Sequence, residues 1–70
     1  MASYWVGDVN ATDDFGDKIE DVFIDGRTLQ GPWAIMTPKS AALHSVMHLG
    51  TGYGQMYEKQ SDGRWLKVEG

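Results

Sequence analysis

"TPKSAALHSVMHLG", residues 37–50, decides whether this chain is built of strands alone or mixes a helix with a sheet. Thr37 is an N-cap residue type, whose hydroxyl can accept a first-turn backbone N–H. Pro38 falls at N1, where a missing N–H costs nothing and the ring's φ suits a helix. Gly50 stands where a left-handed C′ residue would close the helix. At the helical period, Ala42, Leu43, Val46, Met47 and Leu49 gather on one side, with Ala41, His44, Ser45 and His48 on the other. The pattern predicts one helix near residues 38–49, although Val and His are mediocre helix formers.

Beyond it, "GTGYG" at 50–54 raises the question of a phosphate loop. A Walker loop needs Gly-Lys-Ser/Thr opening a helix, and a dinucleotide fingerprint needs a strand before and a helix after. Here the order is reversed and the loop holds no lysine. The glycines are expected to end the helix and free the chain to enter a hairpin. That hairpin is "QMYEKQSDGRWLKVEG", strands 55–60 and 64–69 around Asp62-Gly63. A two-residue turn would pair Lys59 with Leu66, Glu58 with Lys67 and Tyr57 with Val68, setting opposite charges across from each other. A three-residue turn would instead set Glu58 against Leu66 and Tyr57 against Lys67. The two-residue register is the expected one.

Before the helix, "DVFIDGRT" at 21–28 reads as a strand meeting an Asp25-Gly26 turn. Gly31-Pro32 is a second break, followed by "WAIM" at 33–36 as a short buried strand. "SYWVGDV" is a candidate first strand. "NATDDFGDKIED" carries turn chemistry, anchored by Phe15 and Ile19. The two DGR triplets have unlike flanks, so they read as independent turns. The expectation is a single α+β domain over 1–70, with 1–20 partly irregular and acidic. Its core would be Trp33, Ile35, Leu43, Val46, Met47, Tyr57, Leu66 and Val68.

Seventy residues without a cysteine form one domain that no disulfide or thiolate metal site can staple. At this length folding buries only about 60% of the exposed surface. No basic leader or membrane-length apolar run is present, which points to a protein of the cytoplasm with no membrane partner. Residues 1–25 carry seven acids against the single base Lys18, and residues 26–70 carry five bases against three acids, leaving a net charge of −4. This balance suits solubility and is poor for binding phosphates, which need clustered Lys and Arg.

No motif here announces catalysis, and no cofactor is expected. His44 and His48, four apart, are only two ligands and read as solvated. The acidic run lacks the alternation and closing Glu of a calcium loop. "GYGQMY" shares Gly52-Tyr53-Gly54 with an RNA-recognition strand but lacks its leading basic residue. Stacking of bases on Tyr53 and Trp65 beside Lys59 and Arg64 is the nucleic-acid alternative.

Together "FIDGRT", "GPWAIM", "LGTGYGQMYEKQ" and "DGRWLKVEG" resemble a family of small uncharacterised proteins of bacteriophages and prophages, over about residues 13–70. Members of that family often carry a Cys-Pro-x-Cys knuckle where this chain has Thr37-Pro38-Lys39-Ser40, so a metal role there would be absent. The family's Gly-rich link is replaced by "HSVMHLG". The resemblance implies a phage context inside a bacterial host and no particular activity. The leading expectation is a non-catalytic module that binds a host or phage protein, with Asp13, Asp14 and Asp17 facing a basic surface or Tyr53, Lys59, Arg64 and Trp65 forming the contact.

Overall fold

Val22–Arg27 forms β1, the strand on which the rest of the chain is assembled. In the computed structural model, which describes residues 2–70, it is followed by β2 (Trp33–Met36), α1 (Pro38–His44), β3 (Gly54–Lys59) and β4 (Trp65–Glu69). The sheet order is β2-β1-β3-β4, and each neighbouring pair is antiparallel. β2 and β3 therefore run parallel to each other on either side of β1. Their connection must cross over β1, and α1 packs against β1 and β2 on the way. The α+β class expected from the sequence is the one that forms.

The Asp25-Gly26 turn does not form; both residues lie inside β1, opposite Ile35 and Ala34. Glycine serves another purpose at this point. Gly26 is directly across from Gly54 of β3, and a Cβ on Gly54 would come within 3.0 Å of the Gly26 Cα. The reversal occurs later, where the Thr28 N–H and hydroxyl both donate to the Pro32 carbonyl, at 3.0 and 2.7 Å. Gly31 takes the positive φ there, +112°.

The C-terminal hairpin forms in the three-residue register. Lys59 faces Trp65, Glu58 faces Leu66 and Tyr57 faces Lys67, while Gln60 N–H bonds the Arg64 carbonyl at 2.7 Å. Ser61, Asp62 and Gly63 make the loop. Gly63 has φ +88°, as expected of the left-handed residue that closes such a turn. The Asp62 carboxylate accepts the Arg64 N–H at 3.0 Å, which ties Asp62 to the first residue after the turn. That local bond outweighs the cross-strand charge pairing that favoured the other register. An irregularity between Met56 and Tyr57 then shifts the pairing, so that Met56 meets Glu69.

The helix starts as expected and stops early. Thr37 Oγ1 accepts the Ser40 N–H at 3.1 Å and Pro38 sits in the first turn, but the helix closes at Ser45, not at Gly50. Tertiary pairing ends it. The Leu29 N–H donates to the His44 carbonyl at 2.8 Å and the Val46 N–H to the Arg27 carbonyl at 3.1 Å, so residues 44–46 pair with the end of β1 instead of continuing the spiral. Its inward face is also not the apolar side read from the sequence. Ser40 and Ala41 are buried, whereas Leu43 is 65% exposed and Met47 69%. Anchoring of Thr37 to the N-terminal segment fixes how the short helix is turned.

That segment is a strap across the sheet. At one end the Trp5 N–H bonds the Trp65 carbonyl and the Lys67 N–H bonds the Ser3 carbonyl, at 2.9 and 2.8 Å, covering the edge of β4. The expected first strand is thus only an isolated bridge, Tyr4 to Leu66. At the other end the Asp14 N–H bonds the Ile35 carbonyl at 3.0 Å, and the Asp14 carboxylate takes the Ile35 N–H at 2.7 Å. Both outer strands are blunted by one segment, which removes template sites for further pairing.

The core differs from the expected set. Ile24, Ala34, Met36 and Ala41 are buried together beneath the helix, and Phe23 is fully buried on the opposite face. Trp33, Leu43, Met47 and Val68 are exposed, and Ile35, Val46, Tyr57 and Leu66 are half-buried. In "WAIM" the strand's two-residue alternation turns Ala34 and Met36 inward, the opposite parity to Trp33 and Ile35.

Candidate interaction cleft

Seven residues of helix cannot cover one face of a four-strand sheet. Between α1, the sheet and the loop after the helix, an open cleft of about 480 Å³ remains, within the roughly 300–1,000 Å³ range of ligand pockets. Ile24 and Gly26 form its floor, Ala41 and Ala42 its helical wall, and Met47, Leu49 and Tyr53 its far side. Ser45, His48 and Glu69 supply the polar groups at its border, with no lysine or arginine among the lining residues.

The loop that carries Tyr53 is well defined. Gly50 and Gly54 exchange backbone hydrogen bonds at 2.7 and 3.0 Å, and the Tyr53 carbonyl accepts the Arg27 N–H at 2.8 Å. "GTGYG" is therefore a closed turn hung on β1, not a flexible lead into the hairpin. It holds Tyr53 at the cleft with the His48 ring edge-on at 4.5 Å. Upstream, Met47 has a φ of +58°, unusual for a residue with a side chain, and its N–H donates to Ser45 Oγ at 2.9 Å.

Tyr53 is the only one of the expected contact residues that this cleft contains. Lys59 and Trp65 meet across the hairpin, the ammonium 6.0 Å from the ring centre. Arg64 lies over the Tyr4 ring at 4.1 Å and pairs with Asp62 at 2.8 Å. Trp65 is also half-buried in the strap-side cluster, edge-on to Phe23 at 5.0 Å. Lys59, Arg64 and Trp65 thus lie together at the hairpin turn, while Tyr53 lies at the cleft.

The three aspartates form a clasp that ties the strap to β2 and to the start of α1. Asp13 is buried; its Oδ1 accepts the Phe15 and Asp17 N–H groups at 2.9 and 2.8 Å, and its Oδ2 accepts the Thr37 N–H at 2.9 Å. Burial works against its charge, but bonds from the Ser40 hydroxyl and these three N–H groups outweigh it and hold the carboxyl at about 2. Asp17 accepts the Thr37 hydroxyl at 2.5 Å, while Asp14 binds Ile35 as described. Asp25, on the strap side of β1, is shifted the other way: burial and the neighbouring Asp14 charge raise its pKa. Tyr57 is raised by burial and by Asp25.

Residues 13–17 and 37 are too far apart in sequence for any local signature to have revealed the clasp. The cleft had none either, since its lining comes from β1, α1, the loop after the helix and the end of β4, and most of its residues are plain apolar types. Phe15, expected as an anchor, stacks flat on His44 at 4.0 Å and stays partly exposed, whereas Ile19 is buried. Among the described residues no group of three or more His, Cys, Asp or Glu side chains is placed to hold a metal ion, and no helix is long and apolar enough to cross a membrane. No protein-family model, curated protein or solved structure matches this chain, so its functional reading rests on geometry.

Proposed function

We propose that this chain is a non-catalytic protein-interaction module that takes hold of its partner through the cleft between α1 and the sheet, working in the bacterial cytoplasm in the phage context its motifs resemble. One observation carries the reading: a cleft of about 480 Å³ with an apolar floor is left open on one face of the sheet, while the strap crosses the other. A concave, largely apolar space with a few polar groups at its border is the usual form of a binding site. The polar groups at its border would fix the orientation of the bound segment.

The nucleic-acid alternative draws less support. Lys59 and Trp65 are engaged with each other and Arg64 with Tyr4 and Asp62, while Tyr53 lies apart from them at the cleft. The net charge of −4 also opposes phosphate binding.

Affinity capture from bacterial lysate with the wild-type protein and with Ala42→Trp, which fills the cleft from the helix side, tests the reading. A partner held by wild type and lost with Ala42→Trp, while Lys59→Ala/Arg64→Ala retains it, is the expected result. Capture indifferent to Ala42→Trp would overturn the reading. A salt-sensitive shift of single-stranded DNA, abolished by the Lys59→Ala/Arg64→Ala pair, would replace it with the alternative.

A further inference from the structure

The border of the cleft carries a charge rule that its apolar floor does not. Glu69 lies at the end of β4, opposite Met56, whose side chain packs against the buried cluster. The single ion pair among the described residues joins Arg64 to Asp62, so Glu69 has no basic partner there. No lysine or arginine lines the cleft, and an anionic ligand would find no counter-charge. Tyr53 lines the same cleft as Glu69, and a phenol ring can receive a cation on its face. Met47 adds a flexible thioether on the same side, suited to packing on varied apolar groups.

Resting on the reading of the cleft as the partner surface, we infer that it accepts a peptide segment in which an apolar side chain is followed by a basic one. The apolar group fills the space between Ile24, Ala41 and Leu49. The ammonium or guanidinium stays at the solvent border, where Glu69 supplies the opposite charge and the Tyr53 ring a face to lie against. The apolar side chain gives most of the affinity and Glu69 gives the discrimination.

Three dipeptides capped at both ends test this: phenylalanine–lysine, phenylalanine–glutamine and phenylalanine–glutamate, titrated at low salt and followed by amide NMR shifts. The expected result is shifts centred on residues 41–54 and 69, with lysine preferred to glutamine by roughly two- to fivefold, the range an exposed ion pair supplies. Glutamate should bind weakest, and Glu69→Gln should abolish the order among the three. Equal affinities, an order unchanged in Glu69→Gln, shifts centred elsewhere, or no shift with any dipeptide would each overturn the inference. The capture experiment with Ala42→Trp stands apart from this one. If capture depends on the cleft but the dipeptides show no preference for lysine, the interaction reading survives and the charge rule falls.

Discussion

The two faces of the sheet are finished in different ways. On the strap face, Phe23 is enclosed by Trp5, Tyr57 and Trp65, with ring centres 5.0–5.2 Å from its own. The strap is fastened at both sheet edges by backbone bonds and by the carboxylates of Asp13 and Asp14. On the helix face, Ile24, Ala34, Met36 and Ala41 make a smaller buried patch, and beyond it the surface opens into the cleft. The contrast teaches where a short chain can leave apolar surface unfinished. A domain of this length has little burial to spare, so one closed face must carry the stability if the other is to remain open for a partner.

The contrast breaks first at Phe23. Phe23→Ala should cost about 3–5 kcal/mol, the usual loss for emptying an aromatic site, while Leu43→Ala on the helix face should stay within about 0.5 kcal/mol. Denaturant melts of the two variants decide it; similar losses would mean that both faces carry the fold alike.

Asp13 is the next test. Asp13→Ala leaves the Phe15, Asp17 and Thr37 N–H groups without their acceptor and should cost about 2–4 kcal/mol. The pH dependence has a definite sign. With its folded pKa depressed to about 2, below the ordinary aspartate value of roughly 3.9, Asp13 adds stability that is complete above the unfolded value. It is lost as pH falls through the folded one. The amount is about 2 kcal/mol. Thermal melts between pH 5 and pH 2 should fall steeply for wild type and less steeply for Asp13→Asn; parallel curves would remove the clasp from the account.

A third variant probes the central strands. In Gly54→Ala the new Cβ would press on the Gly26 Cα and the Asp25 carbonyl at 3.0 and 3.1 Å, both backbone atoms that cannot swing aside. A loss of about 1–3 kcal/mol is expected from such overpacking. A neutral melt would show that β1 and β3 can separate at little cost.

The smallest effect is a gain. Burial, and then the Asp14 charge, raise the Asp25 pKa, so its ionised form destabilises the fold at neutral pH and that penalty is relieved as pH drops and the group protonates. Asp25→Asn should stabilise by less than about 1 kcal/mol near pH 7, allowing for the solvent that reaches the group. The gain should vanish in acid. Destabilisation at neutral pH would indicate that the Asp25 charge is used on the strap face.

Where bonding is local, the sequence was enough. The Thr37-Pro38 helix start, the positions of β2, β3 and β4, and the place but not the length of the turn at Gly63 follow from residues a few places apart, because caps, φ preferences and two-residue alternation act over that range. The α+β class followed from them. The length of α1, its inward face, the hairpin register and the place of Asp25-Gly26 inside β1 did not. The hairpin register turned on the local Asp62–Arg64 bond; the other three were settled by partners distant in the chain: the end of β1 capturing residues 44–46, the clasp at Thr37 turning Ser40 and Ala41 inward, and Gly54 lying against Gly26. The acidic run shows this most clearly. Its composition read as turn and loop chemistry, and folding made it the fastening of the strap, because the buried Thr37 N–H needs an acceptor that only the tertiary structure could bring to it, and the Ile35 N–H at the sheet edge takes another.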